Sequence, residues 1–439
     1  MATARQRGRI AHLLESPALA VIAAFSLRIS LLWLIHRDRD AHEFLFFPTS
    51  HETWNVAWSM ALGNGFSSPL TGMHGPTAWV APAYPWLIAL ALKVSHLDSY
   101  AAMVLCLFLN CLMSALTCWP IYGIGKKIGS HEIGLASSWM WVFLPTAVMF
   151  PLEWLWDPSF SGFLLALLIY CALDLPARTS ILPSAGYGLL WGIAVLMNPA
   201  TAILFPFLLP WFAWRRGRNQ LPWWPQVMTT TLLFAICLIP WTARNYAAFG
   251  KLIPIKDNFG LEFWLGNNPA VTRNWSPGSH PVGNPPEMQR LVQLGESSHM
   301  QTKQQEAVEF IKTHPRVFFK SMLDRFVDTW TGLGDVPSDR WVGALRAGTA
   351  YIWITSTLSL FSLAGLYLTW RSSGWDAMPI WIAPILFPMT YYLTHSILRY
   401  RHPIDPVLTV LAVCTIARVR SFVLRGLVAE GAASTVQVK

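Results

Sequence analysis

Apolar stretches of bilayer-crossing length recur from residue 17 to residue 417, and they restrict this chain more than any motif does. Backbone N–H and C=O groups find no water in a bilayer, so runs of this kind must cross as helices. They lie near 17–36, 99–124, 131–150, 159–175, 184–197, 200–214, 225–243, 348–370, 376–397 and 403–417. A content of 54% hydrophobic against 13% charged residues excludes a soluble fold of this length. The expected class is an all-α polytopic membrane protein with about ten transmembrane helices.

Charge then orders the spans. Arg5, Arg7 and Arg9 precede the first stretch, which lacks a small-residue cleavage site and is expected to stay as a span. The ambiguous stretch is 82–97, sixteen residues opened by proline and interrupted by Lys93. If it lies along the outer interface, then Lys126, Lys127, Arg178, Arg215, Arg216, Arg218, Arg371, Arg418, Arg420 and Arg425 all share the side of the N-terminal arginines. Residues 82–97 are therefore read as an interfacial helix, with both termini cytoplasmic. The same rule makes 184–214 a hairpin of two short helices broken at Asn198-Pro199. The resulting organisation is a transmembrane module over 1–243 with a first outer loop at 37–98, a large outer loop at 244–347, C-terminal helices at 348–428 and a disordered tail at 429–439. In the large loop, helical periodicity runs from Glu287 to Trp330, with Phe310, Ile311, Val317, Phe318 and Phe326 as an apolar stripe and Glu296, Lys303 and Glu306 at exposed positions.

The net charge of +9 resides in the short clusters that set orientation, so no nucleic-acid partner is expected. All six cysteines fall within apolar stretches and none forms a CxxC pair, which argues against disulfides and a cysteine metal site. Ionisable groups beside a bilayer are costly to retain and carry the functional candidates. Glu52 follows His51 at the start of a short juxtamembrane helix whose stripe is Trp54, Ala57, Trp58 and Ala61; it is a candidate base, or a carboxylate on the helix dipole. Glu153 and Asp157 stand four apart in the second outer loop, and Asp157 before Pro158 equally suits a helix N-cap. No cofactor is expected; His51, His74 and Glu52 would be the ligands of a divalent metal if one were used, but no HxxxH or HExxH spacing supports that alternative. Arg244 and the pair Arg399 and Arg401 lie at the outer interface against the positive-inside trend. A guanidinium there suits a phosphate, and snorkelling to lipid headgroups is the alternative.

Taken in order, these segments resemble a family. Glu52, then Gly63-Asn64-Gly65-Phe66, Gly75-Pro76-Thr77-Ala78-Trp79, Pro82-Ala83-Tyr84-Pro85, Lys126-Lys127-Ile128-Gly129 and Trp154-Leu155-Trp156-Asp157 are followed by Pro240-Trp241-Thr242-Ala243-Arg244-Asn245-Tyr246, Gly260-Leu261-Glu262-Phe263-Trp264-Leu265-Gly266-Asn267-Asn268 and Arg399-Tyr400-Arg401-His402-Pro403. The series resembles the bacterial glycosyltransferase 39-like membrane proteins, which are similar to protein O-mannosyltransferases and lipid A aminoarabinose transferases and have the GT-C fold. The resemblance implies an inverting transferase in the bacterial cytoplasmic membrane. It would move a sugar from a polyprenyl-phosphate donor to an acceptor hydroxyl of a protein, lipid or glycan on the periplasmic face. It places Glu52 as base with His51 beside it, Asp157 or Glu153 as the assisting acid, and Arg244, Asn245, Arg399, Arg401 and His402 around the donor phosphate. His74, Trp79, Tyr84, Asn267 and Asn268 fall among its further substrate-binding positions. Many relatives carry an Asp-Glu pair in the first loop, and His51 stands where that Asp would be. A non-catalytic lipid-binding or assembly protein of the same fold is the alternative. A secondary transporter would call for two similar halves and charges at the bilayer midplane, which the sequence lacks.

Overall fold

The computed structural model describes residues 16–37, 51–153, 155–333 and 348–436; the side chains at 51, 153, 348–351, 398 and 425–436 lie outside the described part. The described residues are mostly helical, and an isolated strand-like bridge joins Ser67 and Pro76. Among the described residues six helical stretches are long and apolar enough to cross a membrane: Pro17–His36, Ser99–Ile128, Pro158–Ala177, Trp224–Phe249, Ile352–Leu393 and Arg399–Leu424. The pair His131–Phe143 and Pro145–Leu152, bent by 48°, makes a seventh. That bend follows from Pro145, which holds the preceding Leu144 in extended backbone.

One of the six is two crossings. A straight 42-residue helix would extend about 63 Å, yet Trp330 touches both of its ends. The Trp330 carbonyl accepts from Ser359 Oγ at 2.6 Å, and its indole N–H donates to Tyr392 Oη at 2.7 Å. The chain reverses at Gly374–Ala377, where Gly374 adopts φ +52°, so 352–373 and 378–393 are the arms of a hairpin. The expected hairpin at Asn198 is present too. Asn198 is extended ahead of Pro199, and the far ends of the helices Leu182–Met197 and Phe205–Arg218 meet the same neighbours, since Arg216 Nη1 donates to the Arg178 carbonyl at 2.6 Å. These arms hold 16 and 14 residues, shorter than a full crossing.

Two faces of the bundle emerge. At one, Lys127 pairs with Asp174 at 2.6 Å, Asp174 with Arg178 at 3.0 Å, and Arg215 and Arg218 share Asp376 at 2.7 and 3.1 Å. These are the basic clusters that the sequence placed together. The other face carries the loops. Tyr100 Oη donates to the His36 carbonyl at 3.1 Å, so the first loop leaves and returns at the same level. Within it the helix Ala83–Val94 has only twelve residues, about 18 Å, and packs on the helices His51–Ala61 and Ser99–Leu116.

The large loop folds into the helices Phe259–Gly266, Pro285–Leu294, Glu296–Thr313 and Pro315–Thr331. Leu261, Leu265, Leu291 and Met300 from this loop share a small core with Leu70 and Trp79 of the first loop. Two expectations for this loop fail. Glu296 and Lys303 are buried, because Glu296 binds the first loop and Lys303 sits between Glu287 (2.8 Å) and Glu306 (3.0 Å), its ammonium 3.7 Å from the Trp264 ring centroid. Helical periodicity reveals two faces without telling which one a distant loop covers.

Candidate functional site

Asp157 opens the span helix Pro158–Asp174 at the loop face. Its carboxylate makes no bond to the first-turn amides, as a capping aspartate would; Oδ2 instead accepts from Ser161 Oγ at 2.5 Å and Asn198 Nδ2 at 3.1 Å. Asn198 serves two purposes, since its Oδ1 caps the turn after the hairpin break by accepting from Ala200 N at 3.1 Å. Burial pushes the Asp157 carboxyl above its ordinary range, opposed by the Ser161 and Asn198 bonds and by the positive charge of Lys256. Lys256 is exposed on the stretch that follows the span Trp224–Phe249.

A further cation packs on the residue that precedes Asp157. The Arg399 guanidinium lies over the ring of Trp156, 3.1 Å from its centroid, and Nη2 donates to Tyr400 Oη at 3.3 Å. Tyr400 stacks on Tyr391 with centroids 4.6 Å apart, and Tyr391 neighbours Asn198 and Asp157. The Tyr400 hydroxyl meets His395 Nε2 at 3.3 Å, and His395 Nδ1 faces Glu262 Oε2 at 3.6 Å. Burial drives His395 down to about 4, against the pull of Glu262, so the ring is neutral near pH 7.

Glu52 is largely covered, at 19% exposure, and its Oε1 lies 3.6 Å from His280 Nε2. His280 Nδ1 accepts the Val282 N–H at 3.2 Å, which places the proton of the neutral ring on Nε2, toward Glu52. The imidazole meets Trp79 edge to face at 6.3 Å. The first loop therefore holds one carboxylate against a histidine brought in from the large loop.

The other sequence candidates divide by surroundings. Arg244 donates to the carbonyls of Thr77 (2.6 Å) and Phe66 (2.5 Å) and to Asn245 Oδ1 (3.0 Å), fastening the first loop; with His74 it lines an open cavity of about 480 Å³ beside Phe66 and Gly75. Asn245 is buried and donates to the carbonyls of Ile253 and Ile255. Asn267 donates to Phe263 and Leu393 carbonyls, and Asn268 to Trp264 O and Ser276 Oγ, so both lock the large loop. Tyr84 is buried and donates to Asn110 Oδ1 at 3.2 Å. Arg401 and His402 turn away from Arg399 into the bundle, where Arg401 Nε donates to Asp405 Oδ1 at 2.9 Å and Nη1 to Ser359 Oγ at 2.9 Å; His402 Nδ1 lies 3.2 Å from Asp405 Oδ2. Helical geometry puts 399 and 401 on different faces, which separates a pair that looks like one clamp in the sequence. The side chains of His51 and Glu153 lie outside the described residues. Among the described residues no three His, Cys, Asp or Glu side chains converge.

Sequence reasoning missed Lys256, His280 and His395, and gave no site role to Asn198 or to Glu262, which stands in the segment before Trp264. Only Asn198 carried a local signal, the Asn-Pro break. The others stand in segments whose position depends on how the large loop docks.

Solved structures of the Archaeoglobus fulgidus oligosaccharyltransferase share this architecture. The apo form aligns with TM-score 0.55 at 13% identity over 95% of this chain and 52% of that one. The complex with an inhibitory peptide and a dolichol-phosphate gives TM-score 0.55 at 12% identity over 95% and 52%, and the complex with Zn and sulfate 0.53 at 13% over 93% and 49%. The fold is GT-C. This bears out the fold expected from the sequence, and the chain spans about half the length of those structures. The sequence matches no protein-family model and no curated protein.

Proposed function

We propose that this chain is an inverting glycosyltransferase similar to the bacterial family 39-like enzymes. It takes a sugar from a polyprenyl-phosphate donor and passes it to an acceptor hydroxyl at the loop face, which faces the periplasm of a bacterial cytoplasmic membrane. The observation that carries this reading is Asp157, a buried carboxylate held by Asn198 and Ser161 at the mouth of a span, with the Lys256 charge acting on it and Arg399 over the adjoining Trp156, on a GT-C fold. A lipid phosphate leaves readily once positive charge meets it, so the chemistry asks for cations more than for an acid. Arg399 and Lys256 supply that charge; the inward turn of Arg401 removes it from the clamp.

In the proposed step Glu52 takes the acceptor proton, the acceptor oxygen bonds to the anomeric carbon, and the bond from that carbon to the phosphate oxygen breaks, leaving its electron pair on polyprenyl phosphate. Base and cations on opposite sides of the carbon require in-line attack and hence inversion. His280, with its N–H toward Glu52, orients the carboxylate, and Asp157 orients the acceptor through its remaining lone pairs. The set around Asp157 is one carboxylate with an amide, a hydroxyl and the charge of Lys256, which does not suit a divalent cation, so no metal enters the step. Transfer of labelled sugar from a panel of polyprenyl-phosphate sugars tests the reading. Wild type should incorporate label, with Glu52→Gln and Asp157→Asn each lowering transfer about a hundredfold or more in folded protein. Folded wild type that transfers from no donor would remove the transferase reading, and full activity in either variant would remove that residue's role.

A further inference from the structure

The helix Pro315–Thr331 of the large loop is amphipathic in the opposite sense to a helix on a water-covered loop. Ser321, Arg325, Asp328 and Thr329 recur at helical spacing and are buried against the protein. Arg325 Nη1 donates to the carbonyls of Tyr392 (3.0 Å) and Leu393 (3.2 Å), Asp328 pairs with Arg273 at 2.5 Å, and Thr329 Oγ1 meets Ser396 Oγ at 2.5 Å. The outward face is carried by Phe319, Leu323 and Phe326, which are 61%, 61% and 45% exposed. Spacings of four and three set them in one stripe. Single exposed apolar residues are ordinary on any surface, but a stripe of large ones opposite a polar, bonded face asks for an apolar partner. Arg316 and Lys320 flank the stripe and are exposed, with Lys320 paired to Asp324 at 2.8 Å.

The stripe runs on into the lipid-facing surface of the hairpin 352–393. The Phe326 ring meets Tyr392 edge to face at 5.5 Å, and Met389 and Leu393 on the same arm are exposed. On the other arm Ser359 binds the Trp330 carbonyl, and the exposed Leu360, Leu363 and Tyr367 follow it along the span. Both arms belong to the membrane-crossing bundle, so these exposed side chains meet hydrocarbon. The geometry points to one occupant for the stripe, the bilayer leaflet at the loop face. Phe319, Leu323 and Phe326 lie among its acyl chains, and Arg316 and Lys320 stand at the phosphates of its phospholipid headgroups. Seventeen residues span about 25 Å, which suits a basic amphipathic helix lying in the interface. Its polar face thus ties the large loop to the hairpin while its apolar face ties the same loop to the leaflet, which holds the loop at headgroup level. This inference needs only the membrane-spanning fold and is independent of the transferase reading.

Fluorescence quenching in the full-length protein tests this. Phe319→Cys, Leu323→Cys, Arg316→Cys and Gln305→Cys are each labelled with a bimane fluorophore and reconstituted into vesicles of phosphatidylcholine and phosphatidylglycerol. Gln305 is exposed with Gln301 and Gln304 on the polar face of the helix Glu296–Thr313 and reports water; wild type, whose six cysteines are buried or half-buried, gives the background. A nitroxide on the lipid acyl chain should quench the labels at 319 and 323 about threefold or more over the label at 305, and aqueous iodide should show the reverse order. A nitroxide on the headgroup should quench the label at 316 more than the acyl-chain nitroxide does. Iodide quenching at 319 and 323 equal to that at 305 would put the stripe in water and overturn the inference. Labels at 319 and 323 that neither quencher reaches would show a protein cover and overturn it as well. Quenching at 316 by iodide alone would overturn the headgroup contact. Should Phe319→Cys fail to fold, Leu323→Cys decides alone.

Discussion

Glu296 offers the sharpest test of how the two outer loops are joined. Its side chain is 7% exposed and sits in the first turn of the helix Glu296–Thr313, where Oε2 accepts from Thr77 Oγ1 at 2.5 Å and Oε1 from Ala78 N at 2.7 Å. Asp257 N donates to the Ala78 carbonyl at 2.8 Å, and Arg244 binds the Thr77 carbonyl, so five residues close one latch. Burial lifts the Glu296 carboxyl from 4.5 to about 7; the Thr77 and Ala78 bonds and the Arg244 charge oppose the rise, and the Asp257 charge adds to it. A carboxyl raised on folding gives stability that is complete below its ordinary value and is lost as pH climbs to the folded value. Here that window runs from about 4.5 to about 7. The loss across it is about 3 kcal/mol. Glu296→Gln imitates the protonated acid and escapes the penalty. Thermal unfolding in detergent at one scan rate should give similar Tm values for the two proteins at pH 5, and a higher Tm for the variant at pH 8. Asp257, also raised by burial, titrates in both, so the difference between the proteins is the quantity to read. Parallel pH profiles, or a variant less stable at pH 8, would refute the argument.

Three other outcomes follow from the packing. Arg401→Ala leaves Asp405 buried without its nearest cation and should destabilise the protein by about 3–5 kcal/mol, seen as a large fall in Tm, whereas a small change would return Arg401 to a site role. Gly266→Ala forces a Cβ against Thr394 O and should release the large loop, read as accelerated proteolysis within 250–333; protection equal to wild type would contradict the close approach. Single cysteines at Lys127 and Arg218 should react with an impermeant thiol reagent from one side of the membrane and a cysteine at Gly72 from the other. Labelling of Lys127→Cys and Arg218→Cys from opposite sides would break the hairpin at Asn198.

Much of the architecture was legible because the bilayer makes folding local. A helix satisfies its backbone within its own segment, so apolar length alone located the helices, including both arms of 352–393. The positive-inside rule needs only a count of Lys and Arg, and it brought Lys127, Arg178 and Arg216 to one face, where the ion pairs and the Arg216 to Arg178 bond now hold them. The Asn198-Pro199 break was visible because proline acts on its own neighbours.

The site was only half visible, for the opposite reason. Glu52, Asp157 and Arg399 stood out as ionisable groups at loop positions, but nothing near them in sequence names their partners. His280 reaches Glu52 across 228 positions, and Glu262 reaches His395 across 133. The sequence by itself determined the helical, membrane-spanning class, the faces of the bundle and which charges lay near its loops. Only the tertiary structure decided that Arg399 packs on Trp156 while Arg401 turns inward to Asp405, and that Glu296 and Lys303 are covered. Hydropathy and charge are properties of a segment, whereas the partner of a buried ion is set by whichever distant loop docks against it, and no local periodicity records that contact.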